Sequence, residues 1–127
     1  MPTPELELIK DVHRKFEAAF NAGDIETLVR LYEPNAVLLP GAGGEARGHE
    51  AIRAAFITFL DDRPAMRLET ALAMLANDGI ALMSAKWVLT ALEPGAERFE
   101  RRGVSAEVLR RQPDGRWLYI LDNPFAA

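Results

Sequence analysis

Phe20-Asn21-Ala22-Gly23-Asp24-Ile25-Glu26-Thr27-Leu28-Val29-Arg30-Leu31-Tyr32-Glu33-Pro34-Asn35-Ala36-Val37-Leu38-Leu39-Pro40-Gly41 decides the fold, because several local signals agree within it. Asn21-Ala22-Gly23 ends a helix, since Gly takes a left-handed conformation without a Cβ clash, and Asp24 caps the next by accepting from its free N–H groups. Pro34 is expected to stop that second helix, and Ala36 to Leu39 is an apolar run short enough to be a strand. The order is therefore helix, turn, helix, strand.

Upstream, Thr3-Pro4-Glu5 reads as a helix start, with Thr as cap and Pro at the first helical position. Ile9, Val12, Phe16, Ala19 and Phe20 then recur at three- and four-residue spacing and form one apolar stripe. Downstream, the glycine-rich stretch Gly41 to Gly48 reads as a loop, and a third helix runs from about His49 to Leu60, ending at Asp61-Asp62-Arg63-Pro64. From Met66 the period falls from about 3.6 to 2, the signature of strands. Met66 to Met74, Ile80 to Leu92, Arg98 to Arg111 and Arg116 to Leu121 are the expected strands, separated at Asn77-Asp78-Gly79, Glu93-Pro94-Gly95 and Gln112-Pro113-Asp114-Gly115.

Helices followed by long strands predict an α+β domain spanning residues 1–127, a curved antiparallel sheet wrapped around three N-terminal helices. Such a sheet leaves an apolar hollow between the layers, a natural binding site. The chain has 127 residues, 49% of them hydrophobic, which is ample for one core. A net charge of −4 gives no field to attract nucleic acid or an anionic membrane. No Cys means no disulfide, thiolate nucleophile or Cys-ligated metal. No apolar run approaches the roughly 20 residues that span a bilayer, and the start lacks a signal-peptide pattern, so a cytoplasmic protein is expected.

In its order of motifs the chain resembles the nuclear transport factor 2-like superfamily, the cone-shaped α+β fold of ketosteroid isomerases and SnoaL-type polyketide cyclases. Phe20-Asn21-Ala22-Gly23-Asp24, Leu31-Tyr32, Asn35-Ala36-Val37, Gly48-His49-Glu50-Ala51-Ile52 and Gln112-Pro113-Asp114-Gly115-Arg116-Trp117 carry the resemblance. The closing Asp122-Asn123-Pro124-Phe125 is most similar to the SgcJ/EcaC subgroup. The resemblance implies a pocket for a small hydrophobic or cyclic metabolite and a homodimer through the open sheet face. It places the isomerase general base at Pro40 and the oxyanion-donating tyrosine at Phe16, where neither side chain can do that chemistry. The second oxyanion donor falls at Glu107 and a supporting tyrosine at Tyr32.

Alternation puts Ser105, Glu107 and Leu109 on one strand face and Val104, Ala106 and Val108 on the other. Two placements are open to Glu107: into the hollow, where burial would raise its pKa and make it a proton donor, or outward against Arg102 or Arg110. Asp122 either shares a face with Ile120 and adds a second carboxylate, or caps a turn before Asn123-Pro124. Glu107 and Asp122 are thus the candidate catalytic residues. Phe16, Tyr32, Leu38, Phe56, Trp87, Ser105 and Ile120 are the candidate ligand contacts.

His13 and His49 have no metal-binding spacing, and His49 reads as a solvated residue at a helix start, so no metal and no cofactor are expected. Cofactor-free acid/base catalysis, as in an isomerase, cyclase or hydratase, stands beside a non-catalytic ligand-binding or dimeric assembly module. Val104, Ala106 and Val108 supply the assembly patch.

Overall fold

The computed structural model describes residues 4–41, 43–91 and 100–127. The chain order is α1 (Pro4–Ala22), α2 (Ile25–Arg30), β1 (Tyr32–Leu38), β2 (Ala46–Arg47), α3 (Gly48–Phe59), β3 (Pro64–Leu75), β4 (Ile80–Ala91), β5 (Glu100–Val104), β6 (Ala106–Arg111) and β7 (Trp117–Asn123). A single 3-10 turn, Asn77–Gly79, joins β3 to β4. The Thr3 cap, the Glu93-Pro94-Gly95 break and the Arg98 strand start lie outside the described residues.

The strands form one curved, unclosed sheet in the order β2-β1-β7-β6-β4-β3, with β5 pairing β4 beyond the end of β6. Among the described residues all pairings are antiparallel except β1 with β7, which is parallel, so the expected antiparallel sheet is a mixed one. The three helices cover the inner face, and the core gathers Ile9, Phe16 and Phe20 of α1 with Leu28, Ile52 and Phe56 and with Met83, Leu109 and Tyr119 of the sheet. The edge strand β3 is sealed by α1. Asn21 Oδ1 accepts from the Met66 N–H at 2.7 Å and Glu17 Oε2 from the Leu68 N–H at 2.7 Å, satisfying groups that would otherwise template association.

The helix-turn-helix junction follows the sequence reading. Gly23 sits at φ +68°, and Asp24 Oδ1 accepts from the Thr27 N–H at 3.2 Å. The end of α2 differs: it closes at Arg30, and Pro34 lies inside β1, where the pairing register shifts between Tyr32 and Val37. A proline is tolerated there because the irregularity spares its missing N–H. Within the expected loop, Ala46–Arg47 pairs with β1, and the single expected strand from Arg98 to Arg111 is broken at Ser105 into β5 and β6.

Two further register shifts matter more. In β3 the register slips between Thr70 and Leu72, which turns Leu72 and Met74 to solvent and Ala73 toward the core. In β7 Leu121 pairs Val108 while Tyr119 pairs Leu109, leaving Ile120 as the extra residue. Side chains on either side of such a residue exchange faces.

Candidate functional site

Between the helices and the sheet lies a cavity of about 290 Å³ with a largely apolar wall. Phe16, Phe20, Phe56, Leu38, Met66 and Trp87 contribute to it, and its buried polar groups are Ser105, Glu107, Tyr119 and Asp122. Phe16 sits edge-on to Phe56 at 5.8 Å and to Tyr119 at 6.2 Å, so the aromatic wall is internally packed.

Glu107 points inward, as alternation within β6 dictates once Leu109 is core. It is only 4% exposed, and both carboxylate oxygens are held. Oε1 lies 2.6 Å from His13 Nε2 on α1, and Oε2 accepts from the Ser105 hydroxyl at 2.8 Å. His13 is itself 1% exposed, with its Nδ1 2.7 Å from Thr70 Oγ1 on β3. The outward placement of Glu107 is thereby excluded: Arg102 pairs with Glu100 at 3.2 Å and Arg110 with Glu33 at 3.0 Å.

Asp122 is the cross-strand partner of Glu107, so the two carboxyls stand side by side on the inner face of β6 and β7. Burial, and then the charge of Glu107, pushes the Asp122 carboxyl up to about 8, while the hydrogen bond from the Tyr32 hydroxyl acts the other way. Tyr32 and Tyr119 are both raised well above the ordinary tyrosine value, chiefly by burial. Asn123, not Asp122, makes the turn bond: its Oδ1 accepts from the Phe125 N–H at 3.1 Å.

The structure brings Phe16, Leu38, Phe56, Trp87 and Ser105 to the cavity wall with Glu107 and Asp122. It does not bring Ile120, because the extra residue in β7 turns Tyr119 inward instead. Tyr32 stands one step back, reaching the cavity through Asp122. His49 is not a freely solvated residue: its Nε2 lies 2.8 Å from the Tyr32 carbonyl oxygen. Among the described residues no group of three or more His, Asp or Glu side chains is gathered to hold a metal ion.

Sequence reasoning missed His13 and Tyr119. The signal for His13 was present, since Ile9, His13, Phe16 and Phe20 follow four-three-four spacing and so lie on one stripe of α1. Tyr119 carried no such signal, because its face depends on the extra residue beside it.

This combination of a helix-covered, unclosed sheet and a carboxylate-lined apolar cavity defines a class of small α+β pocket proteins. The chain belongs to the SnoaL-like domain family, whose sequence model matches residues 12–120. No curated protein matches the chain in sequence. Among solved structures it is similar to a ketosteroid isomerase-like protein from Erwinia carotovora atroseptica SCRI1043, with 18% identity and a TM-score of 0.79 over 96% of this chain and 95% of that one. It is also similar to an NTF-2 like protein from Shewanella oneidensis MR-1, with 19% identity and a TM-score of 0.76 over 92% and 95% of the two chains. A third likeness is a domain with a cystatin-like fold from Nostoc punctiforme, at 20% identity and a TM-score of 0.79, covering 100% of this chain and 80% of that one. At these identities the likenesses speak for the fold. Among the described residues no helix is long and apolar enough to cross a membrane.

Proposed function

We propose that this chain binds a small, mainly apolar cyclic molecule in the cavity and moves a proton on it without a cofactor. The observation that carries the reading is the pairing of Glu107 with Asp122 in one apolar chamber. Burial and the neighbouring Glu107 charge raise the Asp122 carboxyl, and on this reading the two groups divide into donor and acceptor. Asp122, the group whose proton is retained, is the donor toward a ligand oxygen. Glu107 is the acceptor: each of its oxygens has one protein partner, so lone pairs remain for the ligand. His13 and Ser105 fix the orientation of Glu107, and Tyr32 fixes that of Asp122. Isomerase, cyclase and hydratase chemistry all need this arrangement of one donor and one acceptor.

The test is a thermal-shift screen of planar polyketide-like and steroid-like ketones, repeated on Glu107→Gln and Asp122→Asn. A ligand of the folded state raises the melting temperature by mass action. Turnover of a stabilising compound by the parent chain, lost in both variants, is the expected result; stabilisation without turnover selects the binding-module reading, and no stabilisation by any compound rejects the pocket.

A second reading concerns the outer face of the same sheet. Met74, Leu82, Val108, Leu121 and Val37 are successive cross-strand partners from β3 through β4, β6 and β7 to β1, so they form one apolar row. Leu82 and Leu121 are 42% and 50% exposed. The row favours a homodimer packed through the sheet face, a wider patch than Val104, Ala106 and Val108 alone.

A further inference from the structure

Four cavity-lining residues are also exposed to solvent and so mark the mouth: Thr58, Asp62, Arg101 and Phe125. Phe125 is the one large apolar side chain among them, and it remains 47% exposed. What distinguishes this side chain is its place: it both lines the cavity and meets solvent.

Its setting is specific. The Phe125 ring packs edge-on against Trp87, with centroids 5.7 Å apart and planes at 87°. On its other side it lies over Gly41, so closely that a Cβ at that position would stand 2.4 Å from the ring. Trp87 is seated in the same way on Gly103, its cross-strand partner in β5, where a Cβ would stand 2.2 Å from the indole. Each ring therefore rests on a glycine that makes room for it.

The two rings are not equally held. Trp87 is 6% exposed and its Nε1–H donates to the Pro124 carbonyl at 2.6 Å, which pins the indole. The backbone around Phe125 is pinned as well, since the Ala126 N–H donates to Val104 O at 2.9 Å and the Val104 N–H to Ala127 O at 2.9 Å. The Phe125 ring, with no polar group to anchor it, packs against Trp87 and Gly41 and is 47% exposed. A rotation about its own side-chain bonds opens the mouth without breaking a backbone hydrogen bond.

We propose that Phe125 is the gate of this cavity and sets how fast ring systems pass, according to their width. Trp87 is the fixed side of the opening, and Gly41 and Gly103 are the recesses that let both rings close it. The inference rests on the reading that the cavity takes a ligand.

The experiment is stopped-flow tryptophan fluorescence of the full chain with phenol and with 2-naphthol, one ring and two, on the parent, Phe125→Ala, Phe125→Tyr and Gly41→Ala. A gate changes association and dissociation together. Phe125→Ala is expected to speed both rates for 2-naphthol by about tenfold, leave its Kd within about twofold and change phenol little. Phe125→Tyr should keep the parent rates, and Gly41→Ala, which pushes the ring outward, should follow Phe125→Ala. Binding of both probes at unchanged rates, or a faster dissociation alone, overturns the gate and leaves the cavity reading standing. Failure of both probes to bind any of the four proteins overturns both.

Discussion

The two faces of β6 and β7 invert the usual order of a sheet. On the inner face Glu107 pairs Asp122, two acids 4% and 6% exposed; on the next rung Val108 pairs Leu121, and Leu121 is 50% exposed on the outer face. A sheet selected for stability alone would place apolar side chains inside and polar ones outside. Burying two neighbouring acids costs free energy, and such acids cluster at functional sites. On the proposed reading the inner inversion serves chemistry in the cavity and the outer one a contact between subunits.

The strongest way to break this contrast is to remove the inner acid. Glu107→Ala leaves His13 and Ser105 buried without their shared partner, and a buried polar group left without its partner costs about 1–3 kcal/mol. Urea unfolding should register that loss, and Glu107→Gln, which keeps the shape and some of the hydrogen bonds, should lose less. An effect of Glu107→Ala no larger than a surface substitution would mean that the pair is not built as described.

The second effect is a pH dependence. The Asp122 carboxyl ionises near 3.8 in an unstructured chain and near 8 in the fold, so the folded state holds this proton more tightly. Its contribution to stability is complete below pH 3.8 and is lost as the pH rises through about 8. Asp122→Asn retains an acceptor for the Tyr32 hydroxyl and cannot ionise. Thermal unfolding followed from pH 5 to pH 9 should show the parent losing stability relative to Asp122→Asn; parallel curves would contradict the assignment.

The smallest effect on stability sharpens the contrast from outside. Leu82→Glu and Leu121→Glu sit on the exposed row and should change monomer stability by about 0.5 kcal/mol or less. They should nevertheless convert a dimer to monomer by light scattering. An unchanged mass in both variants would remove the outer face from the account.

Much of this was legible in the sequence, and the gaps have physical causes. The Gly23-Asp24 junction and the grouping of Ser105, Glu107 and Leu109 on one strand face follow from capping and from alternation, which are local rules, whereas which way that face points needed the fold. The face of Ile120 was misread because one extra residue in a strand exchanges inside for outside and leaves no mark in the pattern. The end of α2 was misread because Pro34, a helix stop in isolation, finds room in an irregular strand. His13 was visible as part of the α1 stripe, but its partner Glu107 lies 94 residues away. No periodicity links them; only the topology does.

A proton retained on Asp122 at neutral pH, beside Glu107 within the cavity, underlies the proposed chemistry. Carboxyl-carbon NMR of the chain labelled at aspartate, assigned by comparison with Asp122→Asn and titrated from pH 3 to pH 10, tests it directly. A midpoint near 8 for Asp122 is the expected result. A midpoint near 4, the value of a solvated aspartate, would contradict the account.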